Sequence, residues 1–221
     1  MLLKTNNLSK QYRRRDAVVD ALKNVSLEIE EGSFVTITGA SGSGKTTLLL
    51  ALSGLIRPTS GQIIIMDKHI EKASDSELCD FRKKNVGFIL QSFSLIPYLS
   101  ALQNVMVPLS LINHSKSKQI EIAGSVLELV GLSDRMNHLP RELSAGQQQR
   151  VAIARAVVNK PKIIFADEPT GNLDPDLSTE ILTFMKDINR DTGITILMVT
   201  HSPVAAEFGN QKIKLENGQI N

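Results

Sequence analysis

Four short stretches of the chain are almost continuously apolar and rich in β-branched residues. They are Phe34-Val35-Thr36-Ile37-Thr38, Val86-Gly87-Phe88-Ile89-Leu90, Lys162-Ile163-Ile164-Phe165-Ala166 and Ile194-Thr195-Ile196-Leu197-Met198-Val199. Runs without strict apolar–polar alternation suit strands covered on both faces. Helical patterns separate them, which predicts a mostly parallel sheet with helices on both sides. Leu22–Glu30 and Gly61–Asp67 differ: they alternate or form short β runs with turn punctuation, and predict an antiparallel sheet beside that core. Between Ser94 and Lys160 the strand signal vanishes. Ile120–Val130 and Gln147–Val158 carry helical spacing, with Gly131 as a stop after the first. This stretch reads as a helical insertion. Near the end, Glu216-Asn217-Gly218-Gln219 lies between short apolar runs, an Asn-Gly hairpin signal. No internal repeat is evident.

Composition narrows the class. The chain has 221 residues, 42% of them hydrophobic and 22% charged, enough for one full core with a subdomain attached. A net charge of +2 is too near balance to argue for a polyanionic partner. Arg13-Arg14-Arg15 is the one dense basic run and has no aromatic interleaving, so a solvated loop is expected rather than nucleic-acid contact. Cys79 stands alone, which rules out an intrachain disulfide and fits a reducing compartment. The most apolar run, Leu48–Ile56, has about half of the ~20 residues that a bilayer span requires, and Ser53 and Gly54 interrupt it. Met1–Asn6 lacks the pattern of a signal peptide. The expectation is a soluble protein that serves a membrane, if at all, by docking.

The chemistry starts at Gly39-Ala40-Ser41-Gly42-Ser43-Gly44-Lys45-Thr46, which fills every fixed position of G-x-x-x-x-G-K-[ST]. The run Phe34–Thr38 leads into it, and the helical run from Thr47 to Leu52 leaves it. Small residues let the backbone curl so that several N–H groups face one concavity, and the helix N-terminus adds its dipole. Lys45 would supply a cation for the β- and γ-phosphates, the Thr46 hydroxyl a ligand for Mg²⁺, and Thr47 belongs to the same phosphate-binding set. A glycine-rich turn that binds nothing is the alternative, and both correct flanks count against it. A guanine-selective site would need Asn-Lys-x-Asp after a later strand. The nearest string, Asn159-Lys160-Pro161-Lys162, lacks the Asp and precedes a strand, so adenine is favoured.

Lys162-Ile163-Ile164-Phe165-Ala166-Asp167-Glu168 is an apolar strand ending in two acids. The strand end of a parallel sheet opens onto the ligand crevice, and neighbouring side chains on a strand point differently. Asp167 is therefore expected to fix the magnesium, and Glu168 to accept a proton from the attacking water. A chance solvated acid pair is the alternative. His201 follows the strand Ile194–Thr200, where imidazole could sense the γ-phosphate and orient the water with Glu168, although a lone His is more often structural. His69, His114 and His138 read as surface residues.

Leu143-Ser144-Ala145-Gly146-Gln147, followed by Gln148-Gln149-Arg150-Val151-Ala152-Ile153-Ala154-Arg155-Ala156, resembles the signature motif and helix of the ABC ATPases, usually LSGGQ. Gln91 matches the Q-loop, Gly171-Asn172-Leu173-Asp174 the D-loop, and His201 the switch histidine, while Tyr12 stands where an aromatic residue stacks on adenine. The resemblance covers essentially the whole chain. Ala145 departs from it, since glycine is commoner there. The segment Gln91–Val105 is similar to the macrolide-export and lipoprotein-release branch, which includes haem and antimicrobial-peptide efflux ATPases.

The resemblance implies an α/β P-loop NTPase core of the RecA-like kind, spanning residues 1–93 and 161–221 with an antiparallel β subdomain, and a helical subdomain over 94–160. It implies an ATPase whose two copies sandwich two ATPs head to tail. The phosphate cradle of one copy would face Ser144, Ala145, Gly146 and Gln147 of the other, with Asp174 contributing at that junction. Gln91 would join Thr46 and Asp167 at the Mg²⁺, and Gln91 and His201 would join Glu168 in catalysis. The partner would be a separate transmembrane permease contacted at the cytoplasmic face of the membrane, driven for export or extraction of a hydrophobic or amphipathic substrate. Nucleic acid is not expected as a partner. Phe93, Leu95, Ile96 and Tyr98 would line the groove for a permease helix, or else pack as local core. An ABC ATPase acting on nucleic acid or ribosomes, and a non-transport regulator of a membrane protein, are the rival classes.

Overall fold

A computed structural model describes residues 1–14 and 17–220. Two long strands, β1 (Leu3–Arg14) and β2 (Ala17–Ile29), pair antiparallel. Strands β4 (Ser60–Ile65) and β5 (Lys68–His69) join them in a four-stranded sheet of order β2-β1-β4-β5. The larger sheet has six strands in the order β10-β9-β3-β8-β7-β6. Its parallel centre consists of β3 (Phe34–Thr38), β8 (Thr195–Thr200), β7 (Ile163–Asp167) and β6 (Val86–Leu90). All six residues of β8 are buried, as a two-sided cover demands. Each apolar run of the sequence thus became a strand, within one residue of its expected ends.

β9 (Gln211–Glu216) extends the sheet parallel to β3, and β10 (Gln219–Ile220) turns back on it. The turn is the Asn217-Gly218 pair, with φ of 50° and 80°. Two consecutive left-handed residues are what a two-residue hairpin of matching twist requires.

The first strand was not legible. Leu3–Arg14 carries Thr5, Asn6, Asn7, Ser9, Lys10 and Gln11 among few apolar residues, and its pairing with β2 shifts register between Thr5 and Leu8, Leu8 and Lys10, and Lys10 and Gln11. Asn7 and Asn24 sit in left-handed conformations at φ 48° and 50°. Bulges of this kind break the period-2 alternation that marks a strand. They also correct the reading of the basic run as a loop: Arg13 pairs with Val18 and Arg14 with Ala17 at the tip of the ribbon. Arg13 is solvent-exposed, and Arg15 lies outside the described residues.

The helices fill three apolar clusters. Between the two sheets, α1 (Lys45–Leu52) buries Leu48, Leu49 and Leu52, and α2 (Asp75–Asn85) contributes Leu78 and Phe81. On the opposite face of the parallel sheet, Ile153 of α5 (Ala145–Val157), Ile181 and Met185 of α6 (Pro175–Thr192) and Ala205 of α7 (Pro203–Ala206) form the second cluster. The third is built among helices: α3 (Ala101–Leu109) and α4 (Lys116–Leu129) pack Val105, Leu109, Ala123 and Leu127 against Val151 and Ala154 of α5. Helix α5 is therefore shared, one face on the helical cluster and one toward the sheet. Gly131, left-handed at φ 72°, ends the turn after α4 as its position suggested. Among the described residues no helix is long and apolar enough to cross a membrane.

Candidate active site

The functional loops gather at the C-terminal ends of β3, β6, β7 and β8, where parallel strands present a crevice. A cleft of about 560 Å³ there is lined by Ser41, Gly42, Gly44, Lys45, Thr46 and Thr47 from the glycine-rich loop, Gln91 after β6, Asp167 and Glu168 from β7, and His201 after β8. Sequence positions more than a hundred residues apart thus meet around one space. Val19, Asp20 and Ala21 of β2 also line it, and no local pattern marks them, because β2 is legible only from Leu22 onward.

Sterics fix the loop's shape. A Cβ on Gly39 would lie 2.2 Å from the Leu215 carbonyl oxygen, and one on Gly44 2.3 Å from that of Ala21. Both glycines also hold positive φ, 159° and 104°, so a side chain is barred by space and by backbone. Lys45 is buried, and its Nζ donates to the carbonyls of Gly39 at 2.8 Å and Ala40 at 2.9 Å. The Ser43 N–H donates to Ala40, and the buried Ser43 hydroxyl has no partner among the described residues.

Thr46 Oγ1 donates to Asp167 Oδ1 at 3.3 Å, which joins the start of α1 to the end of β7. Burial pushes the Asp167 carboxyl above its usual range, with the neighbouring Glu168 acting in the same direction and Thr46 and Lys45 opposing. A hard divalent cation suits this pair of oxygens. Among the described residues no cluster of three or more His, Cys, Asp or Glu side chains forms a metal cage. Magnesium, which keeps several waters and takes substrate phosphate oxygens, needs no such cage.

Glu168 is held on both oxygens. Thr200 Oγ1 donates to Oε2 at 3.2 Å, and His201 Nδ1 meets Oε1 at 2.7 Å. The Glu168 side chain is 14% exposed and that of His201 65%. The backbone of Glu168 is left-handed at φ 47°, tied by its N–H to the Val199 carbonyl and by its carbonyl to the Gly171 N–H. Strained φ at a non-glycine residue is stored where surrounding bonds over-determine it. Thr200 was missed by the sequence reading, although its place at the end of β8 was a usable signal.

The remaining expected residues lie apart from the cleft. Tyr12 is not in its lining; it pairs across the ribbon with Val19, which is, and Lys10 Nζ stands 5.2 Å from its ring. Ser144 caps α5: its Oγ accepts from the Gln147 N–H at 3.3 Å, and Gln147 Oε1 accepts from the Ser144 N–H at 3.0 Å. Asp174 caps α6 by accepting from the Leu177 N–H at 2.9 Å. Of the four apolar residues after Gln91, only Tyr98 is strongly exposed, at 77%. Phe93, Leu95 and Ile96 are half-buried, and Leu95 packs on the helical cluster.

The unusual Ala145 has a simple account. It is the first residue of α5, is exposed and has no positive φ, so its methyl meets no obstacle. Gly146 is the residue that must stay small: a Cβ there would fall 2.7 Å from Leu177 Cδ1 and 2.8 Å from Cδ2. Gly146→Ala is expected to cost about 1 kcal/mol, overpacking outweighing the helix propensity that alanine gains. In a Leu177→Ala background the same substitution should be neutral or stabilising. Urea unfolding of the four proteins measures this, and an equal cost in both backgrounds would reject the contact as its cause.

Comparison with known proteins agrees with this geometry. The family model described as ABC transporter matches residues 22–171. The lipoprotein-releasing system ATP-binding protein LolD of Myxococcus xanthus is 39% identical over 219 residues, covering 99% of this chain and 98% of that protein. The macrolide export ATP-binding/permease protein MacB of Rhodopirellula baltica is 40% identical over 221 residues, and the chain spans only 32% of its length. Among solved structures, the ATP-binding cassette MJ0796, a dimer in a post-hydrolysis state bound to ADP and Pi, superposes with a TM-score of 0.92. It shares 41% identity, covering 100% of this chain and 97% of that one. The chain belongs to the ABC transporter family, as an ATP-binding cassette.

Proposed function

We propose that this cassette hydrolyses ATP between two copies of itself and drives a separate membrane permease at the cytoplasmic face of the membrane. The observation that carries the proposal is the convergence of Lys45, Thr46, Asp167, Glu168, Gln91 and His201 on one cleft. Lys45 and the N–H groups of the Gly39–Thr46 loop bind and orient the phosphates, aided by the N-terminal dipole of α1. Thr46 and Asp167, with Gln91 beside them, hold a Mg²⁺ that neutralises phosphate charge when bound. Glu168, with Thr200 and His201 fixing its two oxygens, accepts the proton of the attacking water. His201, placed on the rim, orients that water with it and contacts the γ-phosphate.

The second half-site comes from the other copy. Ser144, Gly146 and Gln147 start a helix whose N-terminus is not part of this chain's own cleft, and a helix start favours an anion. The γ-phosphate of one copy then bridges to the Ser144 turn of its partner, with Asp174 at the junction. Hydrolysis removes the shared contacts and releases the pair. Tyr12 meets the adenine from the ribbon edge beside Val19. We read residues 94–160 as a helical unit that carries the signature turn and, through Tyr98, meets the permease. The remainder is the nucleotide-binding body. The names of LolD and MacB favour export or extraction of a hydrophobic or amphipathic substrate, and the size of MacB favours a permease supplied by another chain here.

The test is nucleotide binding by calorimetry together with solution mass by light scattering, with and without magnesium. Magnesium-dependent affinity for ATP, and a dimer that forms only with ATP, are expected. Absence of adenine-nucleotide affinity would overturn the proposal.

A further inference from the structure

The turn after Gln91 has an unusual backbone. Phe93 and Ser94 are consecutive left-handed residues, at φ 59° and 49°, and neither is glycine. An L side chain disfavours that region, so the pair relaxes unless something holds it. Local bonds contribute: the Phe93 N–H donates to Leu90 and the Ser94 N–H to Ser92. From outside the turn, Arg155 of α5 reaches across. Its Nη1 donates to the Ser94 carbonyl at 2.7 Å and its Nη2 to the Phe93 carbonyl at 2.8 Å.

That arginine is itself unusual. Among the described residues it forms no ion pair, and burial lowers its guanidinium pKa from the ordinary value. A half-buried charge whose side-chain partners are two adjacent carbonyls matches the fork of a guanidinium, which a lysine cannot reproduce. The arginine also stands three turns along the helix that Ser144 begins. On the other side of the turn, Asn172 Nδ2 donates to the Gln91 carbonyl at 2.9 Å. The Gln91 carbonyl is thus anchored to the segment before Asp174, and the turn two and three residues after it to the α5 helix.

We propose that Arg155 is a positioning residue for ATP hydrolysis. By clamping the Phe93 and Ser94 carbonyls it keeps the turn left-handed, and so holds Gln91 of the cleft in fixed relation to the helix that presents Ser144. The inference rests on the roles given above to Gln91 and Ser144. A change at the cleft is then transmitted to the signature turn through one guanidinium rather than lost in a loose loop.

The experiment measures kcat and KM for ATP in the full chain. Arg155→Ala is expected to lower kcat about tenfold or more, as misplacement of a cleft group does, with KM within about twofold because the Lys45 loop is untouched. Arg155→Lys should recover only part of the loss, since it keeps the charge and lacks the fork. Ser94→Gly in the Arg155→Ala background should restore at least about a third of the wild-type kcat, because glycine adopts positive φ without help. The inference is overturned if Arg155→Ala keeps the wild-type kcat, if kcat and thermal stability fall together and lysine rescues both fully, or if glycine at 94 restores nothing. Should Arg155→Ala fail to fold, Arg155→Lys with and without Ser94→Gly gives the same decision: rescue supports the clamp, none rejects it. A wild-type chain that fails to hydrolyse ATP defeats the proposed function instead.

Discussion

Glu168→Gln leaves ATP binding intact and lowers steady-state turnover by about 10²–10⁴-fold, the usual contribution of a general base. The substitution is nearly isosteric. The glutamine oxygen can still accept from Thr200 or His201, as the carboxylate does at 3.2 Å and 2.7 Å, so the left-handed backbone at φ 47° has no reason to relax. What disappears is the negative charge that takes the water's proton. Binding is dominated by the Gly39–Thr46 loop, on a different strand end, so affinity and turnover separate. With hydrolysis blocked, the ATP-bound dimer accumulates, and light scattering with ATP should show a stable species of twice the chain mass. Turnover within about threefold of wild type would assign the proton transfer elsewhere.

Lys45→Ala acts on the other half of the cycle and loses nucleotide affinity itself. Lys45 is buried at 8% exposure, with Nζ on two loop carbonyls. Among the described residues its ammonium is the one lysine charge in the lining of the cleft. A hydrogen bond to a charged group is worth about 1.5–3 kcal/mol. Losing it from a triphosphate therefore weakens binding by about 10–150-fold. The loop shape survives, because Gly39 and Gly44 impose it by exclusion rather than by the lysine. The measurement is calorimetry with magnesium-ATP, alongside thermal unfolding without nucleotide to verify the fold. Unchanged affinity would place the phosphates outside the cradle. The two variants therefore fail in opposite ways, one binding without turning over and the other not binding.

Much of this protein is written in local sequence. The four core strands are legible because two-sided burial demands continuous apolar runs, and their shortness and β-branched content favour strand over buried helix. The Gly39–Thr46 loop and the Asn217-Gly218 hairpin are legible because each needs a residue type that few others can replace. What sequence could not decide are relations between segments. Strand β1 stayed hidden because its bulges scramble the alternation. That Tyr98 stands exposed while Leu95 packs on the helical cluster follows from tertiary packing, not from the hydrophobicity of the two residues. The smallness required of Gly146 is set by Leu177, thirty-one residues away on α6, and Ala145 is tolerated because it faces solvent. Arg155 read as an ordinary residue of a helix until folding laid its fork on the carbonyls of Phe93 and Ser94. Local patterns fix which groups exist and what backbone they need; only the packed chain decides which of them touch, because contact energies depend on distances that a linear pattern does not carry.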